Sequence, residues 1–439
     1  MRAAIGAGLL AAALVLLHDP AAGCGQEAAP EPAPKTFTWG VHWGGLSDGL
    51  RYSLWKRVEF GGPDDLVPAP RVRDELSLNG KIGAKLAIDG AAFVTTGTLR
   101  GLDDGIEVRR ARLYTMGDLH VLIPMFYKVE ISVQGGAFVL EENYLGFRDV
   151  PLAGNLIVGN VQTPMGLEAV LSGRDLTFME ASAPVQAFAP GVKAGILAGR
   201  PVFDHHATWA FGFFSGGGSV EIGTFTGQTT AVGRVTWLPL DRTDAAGTPI
   251  LLHLGLSSSL ALGGGAPVRY QARPESFLAP FIVDTGDLPV DTAVLVGVEA
   301  AMVRGPFSLQ SEVFRSSVQA KDGRALNFGG VYLYGSWFAT GESRPYDRTA
   351  GVFGRVVPHR DLSWRGRGLG ALELGVRYSH VDLNDGPVSG GVMDLGTLGL
   401  TWYWNPYMKT KFNYIVGGVR GGSQSGRLQI FQARVELDF

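Results

Sequence analysis

The chain has 439 residues, with 38 Lys and Arg against 41 Asp and Glu, one cysteine and 63 glycines. A net charge of −3 offers no basic excess to track a phosphate backbone, which argues against nucleic-acid binding. Hydrophobic content of 46% with 23 Phe, 12 Tyr and 9 Trp excludes disorder, and a single Cys permits neither a disulfide framework nor a thiolate zinc site.

Glycine at about twice its usual ~7% points away from helices, where each glycine costs ~1 kcal/mol, and towards strands and turns. At the N-terminus, Arg2, the apolar run Ile5 to Leu17 and the small residues Ala21-Ala22-Gly23 read as a secretory signal over residues 1–23, with lipidation of Cys24 as an alternative processing route. Residues 24–36 form a Pro/Ala-rich flexible lead-in, 37–75 an extension with no assigned role, and 76–439 one continuous domain. After Leu17 there is no apolar run of the ~18 residues that a spanning helix needs. An exported apolar chain of this kind is either a soluble β protein or an outer-membrane β-barrel.

Period-two alternation separates these two. Ile82, Ala84, Leu86 and Ile88 alternate with Lys81, Lys85 and Asp89; Tyr127, Val129, Ile131 and Val133 with Lys128 and Glu130; Leu372, Leu374, Val376 and Tyr378 with Glu373 and Arg377. The same pattern runs through Val296 to Met302, Met408 to Tyr414, and Phe431 to Phe439. The polar face carries both charge signs on nearly every strand, and the apolar face ends in aromatics such as Trp402, Trp404, Tyr407 and Tyr414, as interface girdles do. Gly135-Gly136, Gly305-Pro306 and Asn405-Pro406 suit tight turns, while Gly61 to Arg73, Thr163 to Gly191, Gly263 to Asp291, Gly341 to Gly368 and Leu383 to Gly391 suit longer connections. At roughly 25 residues per strand and connection, the length accommodates about 16 strands. The expected fold is all-β: a transmembrane antiparallel β-barrel with long extracellular loops and one inward-folded constriction loop.

The strand phase places Lys81, Lys85, Arg110, Arg112, Lys128, Lys193, Arg234, Arg377, Lys409, Lys411 and Arg434 in the lumen, opposite Asp89, Glu130, Glu299, Glu312, Glu373, Glu436, Asp438 and one of Glu141 or Glu142. Bases outnumber acids on this face of an otherwise acidic chain, as an anion-preferring pore requires. Arg110 and Arg112, two residues apart, either offer successive guanidinium contacts to a passing anion or balance carboxylates on neighbouring strands. Arg109 falls on the opposite face, as an interface anchor. The anion pathway is read as Arg110, Arg112, Lys81, Lys85, Lys128, Lys193 and Arg377. Within Thr163 to Gly191, Arg174, Asp175 and Glu180 form the charged part of the constriction loop, anchored by Phe178, Met179, Val185 and Phe188, and Arg174-Asp175 reads as a pair that fixes the loop.

Several segments resemble the phosphate-selective porin O and P family. They are Leu78 to Asp89, the strand Glu107-Val108-Arg109-Arg110-Ala111-Arg112-Leu113, and, most specifically, Pro164-Met165-Gly166-Leu167-Glu168 followed by Ser172-Gly173-Arg174-Asp175-Leu176-Thr177-Phe178-Met179-Glu180. Thr340 to Arg344, Leu372 to Asp382 and Leu398 to Pro406 complete the resemblance, which runs from about Leu76 to Phe439 and leaves Phe37 to Arg73 outside. It implies a sixteen-stranded homotrimeric outer-membrane barrel for passive diffusion of anions such as phosphate. Gln162 and Ala181 stand where the family usually has Lys and Arg, removing positive charge near the constriction.

Enzymatic signals are thin: there is no phosphate-cradling G-x-x-x-x-G-K-[ST]. His205-His206 would face opposite sides of a strand and cannot chelate together, and Gly216 to Gly218 and Gly263 to Gly265 read as loops. No catalytic residue, metal or cofactor is expected. The function expected is an outer-membrane porin for small hydrophilic solutes with a bias to anions; a non-selective porin and a plugged structural or adhesive barrel are the alternatives. The expected partners are outer-membrane lipid, small anions, further copies of the chain, and the barrel-assembly machinery, which would read the stripe Phe431, Ala433, Val435, Leu437 and Phe439.

Overall fold

The computed structural model describes residues 37–44, 50–58, 74–120, 123–134, 137–215, 229–262, 267–363, 365–366 and 368–439. The signal segment, Cys24, the lead-in, Gly135-Gly136 and the glycine runs at 216–218 and 263–265 lie outside the described residues.

Phe307 to Ala320 shows why these sequences make this fold. Phe307, Leu309 and Val313 are about half exposed, while the intervening Gln310 and Glu312 are buried. A soluble sheet buries its apolar face; this one turns it outward and keeps its polar face inside, which is favourable only if lipid surrounds the wall.

Among the described residues, sixteen strands close the wall by antiparallel pairing. A preceding hairpin is β1 (Phe37–Gly44) and β2 (Leu50–Val58). The barrel begins with β3 (Asp74–Thr95), β4 (Gly105–His120), β5 (Pro124–Gln134), β6 (Ala137–Val150), β7 (Gly154–Gln162), β8 (Val192–Val202), β9 (Ala207–Ser215), β10 (Thr229–Thr243) and β11 (Pro249–Leu262). A short loop ladder, β12 (Gln271–Ala272) with β13 (Val283–Asp284), precedes β14 (Val290–Arg304), β15 (Phe307–Ala320) and β16 (Ala325–Phe338). A second ladder, β17 (Tyr346–Asp347) with β18 (Val352–Phe353), precedes β19 (Ala371–Asp385), β20 (Val388–Tyr403), β21 (Met408–Arg420) and β22 (Gly426–Asp438).

Closure is made by β22 on β3, with Arg434 opposite Asp89, and the Phe439 main chain exchanges two 3.1 Å hydrogen bonds with Ala84. β2 uses the same edge of β3 lower down, at Asp74 to Ile82, so the extension at 37–58 continues the sheet past the C-terminus. The connections at this end are mostly tight, as at Gly305-Pro306, which marks it as the periplasmic rim.

Leu383 to Gly391 is not the long connection expected. β19 and β20 run through it to a turn at Gly386-Pro387, with Asn384 opposite Ser389. Polar side chains there complete the hairpin instead of breaking it: the Asn384 side chain accepts from the Gly391 N–H at 2.8 Å, and Asp382 accepts from the Asn384 N–H at 2.9 Å.

The expected inward constriction loop, Thr163 to Gly191, is present, and two further segments join it. The connection after β11 enters from the loop end, burying Ala272, Glu275 and Val283; the connection after β16 enters from the rim end, burying Arg344, Phe353 and Val356. Together they fill the lumen beside β10 to β20.

Candidate functional site

The sequence motif from Pro164 to Glu180 is a set of docking contacts. Gly166, at φ 81°, turns the chain so that the N–H groups of Leu167 and Glu168 each donate to Glu312 of β15 at 2.7 Å. Ser182 starts the short helix Ala183–Phe188, and its N–H donates to Glu168 at 2.8 Å. Phe178 lies over Gly375 and Gly399, where an added Cβ would come within 3.0 and 2.9 Å of its ring, and meets Tyr334 edge-on at 5.4 Å. Phe188 stacks on Phe314 with centroids 6.2 Å apart. The apolar members of the motif thus act as the anchors expected of them.

Its charged members do likewise. Arg174 pairs with Asp175 at 3.3 Å and reaches Asp438 of the last strand at 2.9 Å. Glu180 accepts two hydrogen bonds from Arg109, at 2.9 and 3.0 Å, and also pairs with Arg434, which grips Asp89 with two hydrogen bonds at 2.6 and 2.7 Å. Burial would raise the Glu180 carboxyl, but Arg109 and Arg434 hold it well below the usual carboxylate range.

Arg377 departs from its expected place in the anion pathway. It faces inward, yet its side chain is fully buried, paired with Glu275 of the loop-end segment and, at 3.3 Å, with Glu168. Ser379 and Thr397 also donate to Glu275, at 2.6 and 2.9 Å. Arg377 therefore ties two inward segments to the wall. Burial pushes the Glu168 carboxyl up against the opposing pull of Arg377.

Five of the remaining pathway residues, Lys81, Lys85, Arg110, Arg112 and Lys128, surround one cavity of about 290 Å³ against β3 to β7, on the side of the lumen that the inward segments leave open. Arg174 joins them, and Glu130, Glu141, Glu142, Glu436 and Asp438 complete the charged lining. Lys193 shares the inward phase, since its neighbour Gly195 pairs with the buried Phe214, but it does not line this cavity. Gln162, the position where a lysine was expected from the family pattern, does line it.

Glu130 is the hub of the lining. Lys128 lies 2.8 Å from it, Arg112 3.1 Å and Lys85 3.4 Å, and Arg112 also reaches Glu141 at 3.1 Å. Arg110 differs: among the described residues it forms no ion pair, and its guanidinium lies flat on the backbone of Gly173, where a Cβ would come within 2.5–2.6 Å of three of its atoms. A side chain at position 173 would displace this guanidinium from the loop backbone.

Two β-bulges account for what alternation missed. Ala87 faces Arg110 but Ile88 faces Val108, so Arg109 is the extra residue of a bulge and turns inward to Glu180, not outward as an interface anchor. Across β5 and β6, Val129 faces Asn143 while Ile131 faces Leu140, so both Glu141 and Glu142 reach the lumen instead of one of them. A bulge breaks the two-residue period without leaving a composition signal, so neither inward turn was legible from spacing.

The family model for phosphate-selective porin O and P matches residues 81–439. The chain belongs to this family. An uncharacterized protein of Caulobacter vibrioides is 30% identical over 361 residues, covering 77% of this chain and 69% of that protein. Porin O of Pseudomonas aeruginosa is 29% identical over 133 residues, covering 27% of this chain and 28% of that protein. Among solved structures, the barrel is similar to an anion-selective porin from Comamonas acidovorans at TM-score 0.52 and 12% identity, with 82% of this chain and 99% of that one covered, a likeness of fold. The porin is an outer-membrane barrel for the diffusion of small solutes.

Proposed function

We propose that solutes cross this porin along the cavity against β3 to β7 and that the path favours anions, phosphate among them, to a modest degree. The observation that carries the reading is Arg110: an inward guanidinium that lines the open cavity, is held flat by Gly173 and has no ion pair among the described residues. Such a group presents its charge to whatever passes, in a narrow space whose low-dielectric walls focus the field. Lys85, Arg112 and Lys128 spend most of theirs on Glu130, Glu141 and Glu142.

A non-selective porin is the second reading, and the lining favours it in one respect. Six basic side chains meet five acidic ones around the cavity, a far smaller excess than strand phase alone implied. Reversal potential across a planar bilayer under a KCl gradient decides between them. A potential set by chloride supports the anion bias, whereas equal permeabilities refute it. Block of the chloride current by millimolar phosphate tests the phosphate component, and a channel with no conductance would leave the plugged barrel as the better account.

Assembly belongs to the same proposal. We infer that the signal segment directs export, that three copies associate in the membrane, and that the assembly machinery reads the C-terminal stripe ending at Phe439. Phe431 and Val435 are about half exposed on the outer wall, as such a stripe requires. Deleting Phe439 should reduce heat-modifiable barrel in membrane fractions; unchanged levels would refute the role.

A further inference from the structure

We propose that the cavity against β3 to β7 holds a free α-amino acid, with its carboxylate on Arg110 and its ammonium group on Glu436 and Asp438. This names a solute class for the cavity described above as the solute path, and it rests on that reading.

Strand pairing puts the two ends of the site in one row. Glu436 of β22 lies opposite Ala87 of β3, and Ala87 lies opposite Arg110 of β4. Neighbouring strands are about 4.8 Å apart, so the two backbones stand roughly 10 Å from each other with one small side chain between them. Both residues line the cavity, yet among the described residues they form no ion pair with each other.

The acidic end has acceptors to spare. Glu436 is buried and meets Lys409 at 3.6 Å through Oε1, while its Oε2 has no hydrogen-bond partner among the described residues. Lys411 is turned away to the carbonyl oxygens of Leu176 and Phe178. One row on, Asp438 accepts through Oδ1 from Arg174 at 2.9 Å and Arg355 at 2.8 Å, and its Oδ2 is likewise unmatched. Buried polar atoms are nearly always hydrogen-bonded, so two orphan carboxylate oxygens at one cavity mark a place for a donor to enter. At the basic end Arg110 is the unpaired group, its guanidinium set against the backbone of Gly173.

These groups select the occupant by carrying both signs. An inorganic anion answers Arg110 but sets its charge against Glu436 and Asp438, and an inorganic cation meets the reverse. A neutral hydroxyl leaves both charges uncompensated. A solute with an ammonium group and a carboxylate on one carbon satisfies both ends with charge-assisted bonds and brings no net charge. The cavity, at about 290 Å³, lies at the lower edge of the roughly 300–1,000 Å³ of small-molecule sites, which suits the smaller amino acids.

The test is saturation-transfer NMR on the full-length barrel in detergent, with L-alanine and three probes of its size. Lactamide is neutral, lactate lacks the ammonium group, and alaninamide lacks the carboxylate. Alanine should bind at about tenfold lower concentration than any of the three, the scale of one lost contact to a charged group. Glu436→Gln and Arg110→Gln should each abolish that preference with heat-modifiable mobility intact, and Glu436→Gln should do so without weakening an anion preference in reversal potential. Lactate binding as tightly as alanine would make this an ordinary anion site, alaninamide a cation site and lactamide an unselective one. Each of these results overturns the proposal, as does an unchanged preference in either variant. Saturable block of KCl current by alanine in planar bilayers checks the path separately: alanine that binds with this pattern but leaves the current untouched would refute the path and leave the binding site standing.

Discussion

Arg112 and Arg377 both point into the lumen from regular strands, and the barrel uses them in opposite ways. Arg112, on the β3 to β7 side, reaches Glu130 and Glu141 across an open cavity. Arg377, on the β10 to β20 side, is sealed between Glu168 and Glu275 beneath two inward segments. On one side a charge faces the open cavity proposed as the solute path; on the other it holds in place the segments that fill the lumen. The difference lies in what covers each wall, because the same guanidinium stays open to water on one wall and becomes a structural clasp once it is desolvated on the other.

The strongest test of this contrast is Arg377→Leu. Removing a buried partner leaves Glu168 and Glu275 without their counter-charge, at a cost of about 3–5 kcal/mol. The inward segments should loosen, so single-channel conductance should rise well above wild type and the heat-modifiable transition should fall. Arg112→Leu removes the same charge from the cavity side and should change thermal behaviour little. Similar thermal losses in the two variants would erase the distinction between the walls.

Reversing Arg110 and Arg112 together to Glu moves the lining from a slight basic excess to a clear acidic one, and reversal potential should shift from anion-favouring to cation-favouring. Arg109→Glu probes the bulge. It sets a second carboxylate against Glu180 and should release the constriction loop, seen as noisier and larger conductance, and the exchange Arg109→Glu with Glu180→Arg should recover most of the wild-type behaviour. If Arg109 faced lipid, the exchange would rescue nothing.

The smallest effect concerns acid. Because Glu180 is held below its unfolded value, its stabilising contribution is complete above the ordinary carboxylate pKa and is lost as pH falls through the depressed one. Conductance should therefore be the same at pH 7 and pH 5. Loosening of the loop should appear only below about pH 4, and Glu180→Gln should already show it at neutral pH.

The sequence by itself determined the kind of molecule. Alternation in segments such as Leu372 to Tyr378 and Phe431 to Phe439 established a wall with one lipid face and one polar face, because a strand's side chains alternate whatever it pairs with. The motif from Pro164 to Glu180 marked the constriction loop before any contact was known, and spacing placed Arg110 and Arg112 on one inward face. Only the tertiary structure decided which inward charges line the open cavity. Arg377 and Arg112 have the same local pattern, and it is the constriction loop and the segment after β11 that bury one and leave the other at an open cavity. The bulges at Arg109 and at Glu141-Glu142 were likewise settled by pairing with neighbouring strands, since a one-residue shift of register changes the face of a side chain without changing the sequence around it.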